Sequence, residues 1–217
     1  MSNFAARRTM MVDTQIRPSD VTKFPIIDAM LKVPREDFVP AARREAAYMG
    51  ENLELDNGRV LLEPRTLAKM LDALDINNDE LVLDVGAGFG YSSAVIAHMA
   101  EAVVAVEEDE AMVSEAQEAL AAVNVDNVVL HNGPLAEGAA QHGPYDVIVV
   151  EGGVRQLPSD LEDQLKDGGR IAAIFDDGRH GTVRVGLKAD GAITWRYAFN
   201  GTAPRLAGFE KRAEFAL

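Results

Sequence analysis

Residues 81–97 restrict the fold more than any other stretch of this chain. The apolar run Leu81-Val82-Leu83 leads into Asp84-Val85-Gly86-Ala87-Gly88-Phe89-Gly90, and then into Tyr91-Ser92-Ser93-Ala94-Val95-Ile96-Ala97. The pattern reads as a buried strand, a glycine-rich turn and the start of a helix. Glycine has no Cβ, so such a turn lets backbone N–H groups come close to a ligand at the mouth of the helix. A second apolar run, Val103-Val104-Ala105-Val106, ends on Glu107. A glycine turn after one strand and an acid at the end of the next form an arrangement that holds a nucleoside, with the carboxylate accepting from ribose hydroxyls. The competing reading is a tight turn that only joins strand to helix.

From Leu81 onward, strands and helices alternate. The strands read as 81–85, 102–107, 127–131, 146–151 and 170–175, with helices at about 91–100, 109–122 and 158–166 and Asp109 as an N-cap. Strict alternation means a parallel sheet covered on both faces. Residues 182–188 and 192–197 flank Ala189-Asp190-Gly191, a hairpin signal, and a last strand is expected over about 211–216. Upstream, residues 19–48 read as helical, broken and restarted around Val33–Pro40. Pro64 suits a first helical turn, followed by one apolar face of Leu67, Met70, Leu71 and Leu74. With 217 residues and no linker, the chain is expected to be one domain, 1–217, with an N-terminal helical cap over 1–75 and the α/β sheet over 79–217.

Composition narrows the function. The net charge of −14 would repel a polyphosphate partner at long range, which argues against nucleic acid as a substrate. Residues 1–50 carry eight Lys/Arg against six Asp/Glu, so the acidity lies in the remainder and reads as a solvated surface. No run is long and apolar enough for a bilayer, and the N-terminus lacks the apolar core of a secretory signal, so a soluble, cytoplasmic protein without a membrane partner is expected. There is no cysteine, and His98, His131, His142 and His180 are scattered without metal-ligand spacing, so no metal is expected.

The glycine spacing separates two cofactor classes. A dinucleotide fold wants a small residue where this chain has Tyr91, which disfavours a nicotinamide enzyme. With Asp84 two residues before Gly86, the D-x-G-x-G-x-G form resembles the first motif of S-adenosyl-L-methionine methyltransferases. Four segments, in order, then resemble protein-L-isoaspartate (D-aspartate) O-methyltransferases. Ala29 to Pro40 is similar to the family's VPR-x-x-FVP stretch, and Asp84 to Val95 to its GxGSGYxxA turn. Tyr145 to Val150 is similar to YDxIIV, and Leu157 to Arg170 to IPxxLxxQLxxGGR. The resemblance implies a Rossmann-like, doubly wound, mostly parallel seven-stranded sheet with an antiparallel C-terminal hairpin and N-terminal helices. It implies S-adenosyl-L-methionine as cofactor, held by Asp84, Gly86, Ala87, Gly88, Gly90, Tyr91, Glu107, Glu108, Asn132 and Gly133. Its implied partner is a protein or peptide with an isoaspartyl residue, whose free carboxylate becomes a methyl ester.

Two segments depart from the family pattern. Where the family has T-I-S-x-P, with a serine near the reacting carboxylate, this chain has Val60-Leu61-Leu62-Glu63-Pro64. Leu62 stands at the serine position and both hydroxyls are gone. Where the family has G-D-G, with an aspartate on the adenine amino group, this chain has Gly133-Pro134-Leu135, with Pro134 at the aspartate position, and Asn132 just before it is the candidate substitute. Glu63 then suits an acceptor that must lose a proton, serving as base. Arg59 and Arg65 flank it as an alternative fork for a carboxylate. Against both stands a solvated turn with Glu63 near a helix N-terminus. Glu151, at the end of the fourth strand, is either a loop cap or a substrate contact. Two further functions remain open: a methyltransferase for a different acceptor, and a cofactor-binding module without catalysis.

Overall fold

The apolar runs pair as their alternation predicts. The computed structural model describes residues 3–178 and 180–210. The chain begins with α1 (Phe4–Met11), continues through a wider turn at Val12–Ile16, and forms α2 (Phe24–Lys32). A small hairpin of β1 (Leu53–Glu54) and β2 (Val60–Leu61) precedes α3 (Pro64–Leu74). Then come β3 (Leu81–Val85), α4 (Tyr91–Ala97), β4 (Ala102–Glu107), α5 (Glu110–Ala122) and β5 (Val128–Asn132). The rest is β6 (Tyr145–Val154), α6 (Ser159–Asp163), β7 (Leu165–Asp176), β8 (Gly181–Ala189) and β9 (Ala192–Asn200).

Seven strands form one sheet in the order β5-β4-β3-β6-β7-β8-β9. The first five are parallel, with Leu83 opposite Val104 on one side and Ile148 on the other, and β8 and β9 are antiparallel. The strands leave β3 in one direction toward β5 and then restart on its other side with β6. The carboxyl ends of β3 and β6 therefore flank the switch point, where open α/β sheets bind ligands.

Period-two alternation divides the core. Val82, Val103 and Val147 point to one face, where residues of α1 to α5 cover them. Leu83, Val85, Val104 and Ile148 point to the other, under Leu135, Leu157, Leu161 and Phe209. Asp109 caps α5 by accepting from the amides of Ala111 and Met112. The proline in the first turn of α3 fits its missing N–H, and Asp75 ends that helix in a left-handed conformation.

The upstream expectation was too generous. Within 19–48 only Phe24–Lys32 is α-helical; Arg35–Asp37 and Ala41–Ala46 are short 3-10 turns. Pro34 and Pro40 lack the N–H a continuous helix needs and bias the preceding residue away from it. α4 stops at Ala97, and α6 is shorter than expected because Leu165 already belongs to β7. The strand expected at 211–216 lies outside the described residues. Among the described residues no helix is long and apolar enough to cross a membrane.

Candidate functional site

The glycine turn lies at the switch point, but its amides are not free. The N–H groups of Gly86 and Ala87 donate to the Val106 carbonyl at 2.9 and 3.3 Å, and that of Gly90 donates to Ala87 at 2.9 Å. Gly88 N–H donates to Oε2 of Glu107 at 2.8 Å. The sequence reading had these amides facing a ligand; four are instead spent on closing the turn and joining it to β4. Gly86 has φ +85°, a region that L side chains rarely adopt, and this is what turns the chain so sharply after β3.

Glu107 is fully buried at the end of β4 and saturated by protein donors. Arg59 Nη1 donates to both of its oxygens at 2.9 Å, and the amides of Glu108 and Asp109 donate to Oε1 at 3.0 and 3.3 Å. Arg59 Nη2 donates to the Gly86 carbonyl at 2.7 Å. Local structure carries the arginine there. The β1–β2 hairpin turns at Asn57 and Gly58, both with positive φ, and the Asn57 side chain donates to Asp109 at the cap of α5. The alternative Arg59–Arg65 fork is therefore not formed: Arg59 turns to Glu107, and Arg65 approaches Glu63 at 3.5 Å.

Below the turn lies a group of buried polar side chains. Ser92 and Ser93, in the first turn of α4, donate to Oδ2 of Asp84 at 2.7 and 2.6 Å. Burial pushes the Asp84 carboxyl up to about 6, against the two serine hydrogen bonds that hold it down. Burial, with Asp84 nearby, holds Glu151 well above the usual carboxyl range. Arg35 is fully buried; its Nε and Nη2 donate to the carbonyls of Ala47 and Leu62 at 2.6 Å, and its guanidinium lies 4.8 Å from the centre of the Tyr91 ring. Burial lowers the Arg35 pKa and raises that of Tyr91. Asp84 Oδ1, Tyr91 Oη, Glu151 Oε1 and Arg35 Nη1 have no hydrogen-bond partner among the described residues. Arg35 carried no local sign of this role beyond its place in the VPR-x-x-FVP segment.

The segment at the serine position is apolar in structure as well as in sequence. Leu62 is fully buried in the core, so its side chain offers nothing to a substrate, while its carbonyl takes the Arg35 bond. Glu63 stands before α3. Its amide donates to Asn52 Oδ1 at 2.8 Å, and its carboxylate accepts from the Thr66 hydroxyl at 2.6 Å. It lines an open groove of about 870 Å³ together with Glu51, Asn52, Asp177, His180 and Thr202. Asn132 donates to the carbonyls of Glu107 and Glu108 at 3.0 and 3.3 Å, bracing the acid-bearing loop, and Gly133 N–H donates to the Glu107 carbonyl at 3.2 Å. Glu108 is exposed at the rim. The histidines are less scattered than their spacing suggests, since the rings of His131 and His142 lie 6.2 Å apart. Among the described residues no His, Asp or Glu cluster could hold a metal ion.

A doubly wound sheet, a glycine turn at its switch point and a buried acid ending the adjacent strand define a Rossmann-like methyltransferase fold. A family profile described as protein-L-isoaspartate(D-aspartate) O-methyltransferase matches residues 6–199. The chain belongs to this family. A Rhodopseudomonas palustris (strain HaA2) protein-L-isoaspartate O-methyltransferase 1 is 39% identical over 170 residues, covering 78% of this chain and 69% of the relative. A Syntrophus aciditrophicus (strain SB) protein-L-isoaspartate O-methyltransferase is 35% identical over 180 residues, covering 83% and 82%. Two solved structures share the fold. One, titled protein-L-isoaspartate O-methyltransferase, has a TM-score of 0.81 at 24% identity and covers 93% of this chain and 66% of its own. The other, a Plasmodium falciparum protein described as such a methyltransferase in complex with S-adenosyl-L-homocysteine, has a TM-score of 0.79 at 18% identity and covers 95% and 99%.

The residues at the turn fit the family's cofactor, S-adenosyl-L-methionine, in kind. The acid ends the strand beside the glycine turn, and partnerless buried atoms lie beneath it. The space itself is taken: a Cβ added at Gly86 would stand 2.7 Å from Arg59 Nη2, and one at Gly152 would stand 2.5 Å from Leu206. Leu206 belongs to a C-terminal segment that crosses the strand ends, where Gly153 N–H donates to Pro204 at 2.8 Å and Leu206 N–H to Gly153 at 3.0 Å.

Proposed function

We propose that this protein is an S-adenosyl-L-methionine-dependent O-methyltransferase, acting as one domain, that esterifies the free α-carboxylate of isoaspartyl residues in proteins or peptides. The observation that carries this reading is the family match over residues 6–199, which spans the switch-point turn and Glu107. When bound, the donor supplies an electrophilic methyl group on a sulfonium sulfur. Gly86, Ala87, Gly88, Gly90 and Tyr91 leave or shape the space for it, and Glu107 accepts from its ribose. Asn132 and Gly133 hold the Glu107 loop in place, with Glu108 at its rim, and Asp84 anchors the turn to α4.

An isoaspartyl carboxylate is already ionised near neutral pH, so its methylation needs no base. The protein's task is then alignment and the exclusion of water. Leu62 contributes no hydroxyl to that alignment. The groove beside Glu63 is where we place the acceptor, and its lining favours a second reading. Glu51, Glu63 and Asp177 line it with no Lys or Arg among the described lining residues, which suits an acceptor that must lose a proton, with Glu63 as base.

The readings differ in product. With methyl-labelled S-adenosyl-L-methionine and a peptide carrying one isoaspartyl residue, the first predicts a base-labile ester that decays through a cyclic imide. Absence of ester, with an alkali-stable methyl group on an amine-bearing peptide, selects the second.

A further inference from the structure

The Arg59–Glu107 pair gives the donor site a property that its motifs do not. A carboxylate has about four acceptor directions. At Glu107 they receive Arg59 Nη1 on both oxygens, the amides of Glu108 and Asp109 on Oε1, and the amide of Gly88 on Oε2. The three amides are fixed parts of the turn and the loop. The directions left for two ribose hydroxyls are those that Arg59 holds. Its other nitrogen, Nη2, lies against Gly86, in the space opened by that glycine's missing side chain.

We propose that Arg59 is a built-in competitor for the methyl donor, a residue whose guanidinium occupies the ribose position and must leave before the donor binds. The proposal rests on Glu107 being the ribose acceptor. Binding then exchanges a charge-assisted, buried ion pair for hydrogen bonds from neutral hydroxyls, so Arg59 lowers donor affinity. The route out is short, because the hairpin tip at Asp56, Asn57 and Gly58 is exposed and Arg59 follows it directly. A residue at this position without charge leaves Glu107 free and raises affinity without touching the donor itself.

The test is calorimetric titration of S-adenosyl-L-homocysteine into the full-length wild type, Arg59→Gln and Arg59→Lys. Arg59→Gln should bind at least tenfold more tightly than wild type, with Arg59→Lys between them. Equal or weaker binding by Arg59→Gln, with measurable binding by wild type, overturns the proposal and leaves the donor site standing. No binding by any of the three overturns both. Because Arg59→Gln leaves a buried acid without its cation, at a cost to folding, a second measurement uses the unaltered protein. Saturation with S-adenosyl-L-homocysteine should increase phenylglyoxal labelling of Arg59, read by mass spectrometry, as the side chain moves outward. Unchanged or reduced labelling under saturation overturns the proposal.

Discussion

Replacing Glu107 by Gln tests whether the ion pair holds the ligand-free protein together. The partners' side chains are only 9% and 1% exposed, so solvent screening takes little from their interaction. Glutamine keeps the shape but replaces one oxygen by an NH2 group. Every neighbour of the carboxylate is a donor: Arg59 at 2.9 Å, Gly88 N–H at 2.8 Å and Glu108 N–H at 3.0 Å. The new NH2 therefore faces donors only, and Arg59 loses the carboxylate it pairs with directly. Removing one partner of a buried pair costs about 3–5 kcal/mol. Unfolding entropy of about 2.1 cal/mol/K per residue makes that a fall of roughly 7–11 °C in Tm for a chain of this length. Differential scanning calorimetry without ligand measures it. The double variant Arg59→Met with Glu107→Gln removes both charges and should recover most of the loss, giving a favourable coupling energy in the cycle. A Tm for Glu107→Gln within about 2 °C of wild type would refute the reasoning, because a desolvated pair of this geometry cannot be broken at so small a cost.

Three further outcomes follow from the buried polar group and the reactive segment. Asp84 titrates near 6 when folded against an ordinary 3.8, so the native state holds the extra proton between those values, and stability should fall as pH rises through that window. Asp84→Asn should flatten that part of the curve, read by urea denaturation from pH 4 to pH 8; an unchanged slope counts against the raised value. Leu62→Ser puts a hydroxyl into the apolar core, and should lower stability by about 3 kcal/mol without increasing methyl transfer to an isoaspartyl peptide. Arg35→Met leaves the carbonyls of Ala47 and Leu62 without their donor and should lose roughly 2–4 kcal/mol in the same denaturation assay.

The sheet was legible because its strands are buried on both faces and read as continuous apolar runs. Leu81–Val85 and Ala102–Glu107 fall where the residues predict, as do the hairpin strands. The N-terminal region was not, because Val21, Phe24, Ile27 and Leu31 recur at helical spacing while the two prolines beyond them decide where a helix can persist. The placement of Glu107 and the glycine turn side by side at the switch point was readable from spacing. Arg59 was not, since its partner is 48 residues away and nothing local marks a guanidinium that will turn inward. The fate of the turn's amides was equally hidden: whether a glycine turn faces a ligand or its neighbouring strand depends on where the Val106 carbonyl lies in three dimensions.

The partnerless polar atoms bear on whether the site was kept for a ligand. A buried polar atom without a hydrogen bond is costly, and such atoms are few in native proteins. Here Asp84, Tyr91, Glu151 and Arg35 each keep one, and they influence one another: Asp84 raises Glu151, while Arg35 acts on both Glu151 and Tyr91. A chain selected only as a scaffold gains by replacing the whole group, donors and acceptors together, with apolar atoms of similar volume, which is often stabilising. Val60, Leu61 and Leu62 nearby are apolar, where the T-I-S-x-P pattern they resemble carries hydroxyls at the first and third positions. An apolar segment at Leu61 and Leu62 beside unsatisfied polarity under the glycine turn is the pattern expected where the segment serves the core and the polar groups serve a bound partner.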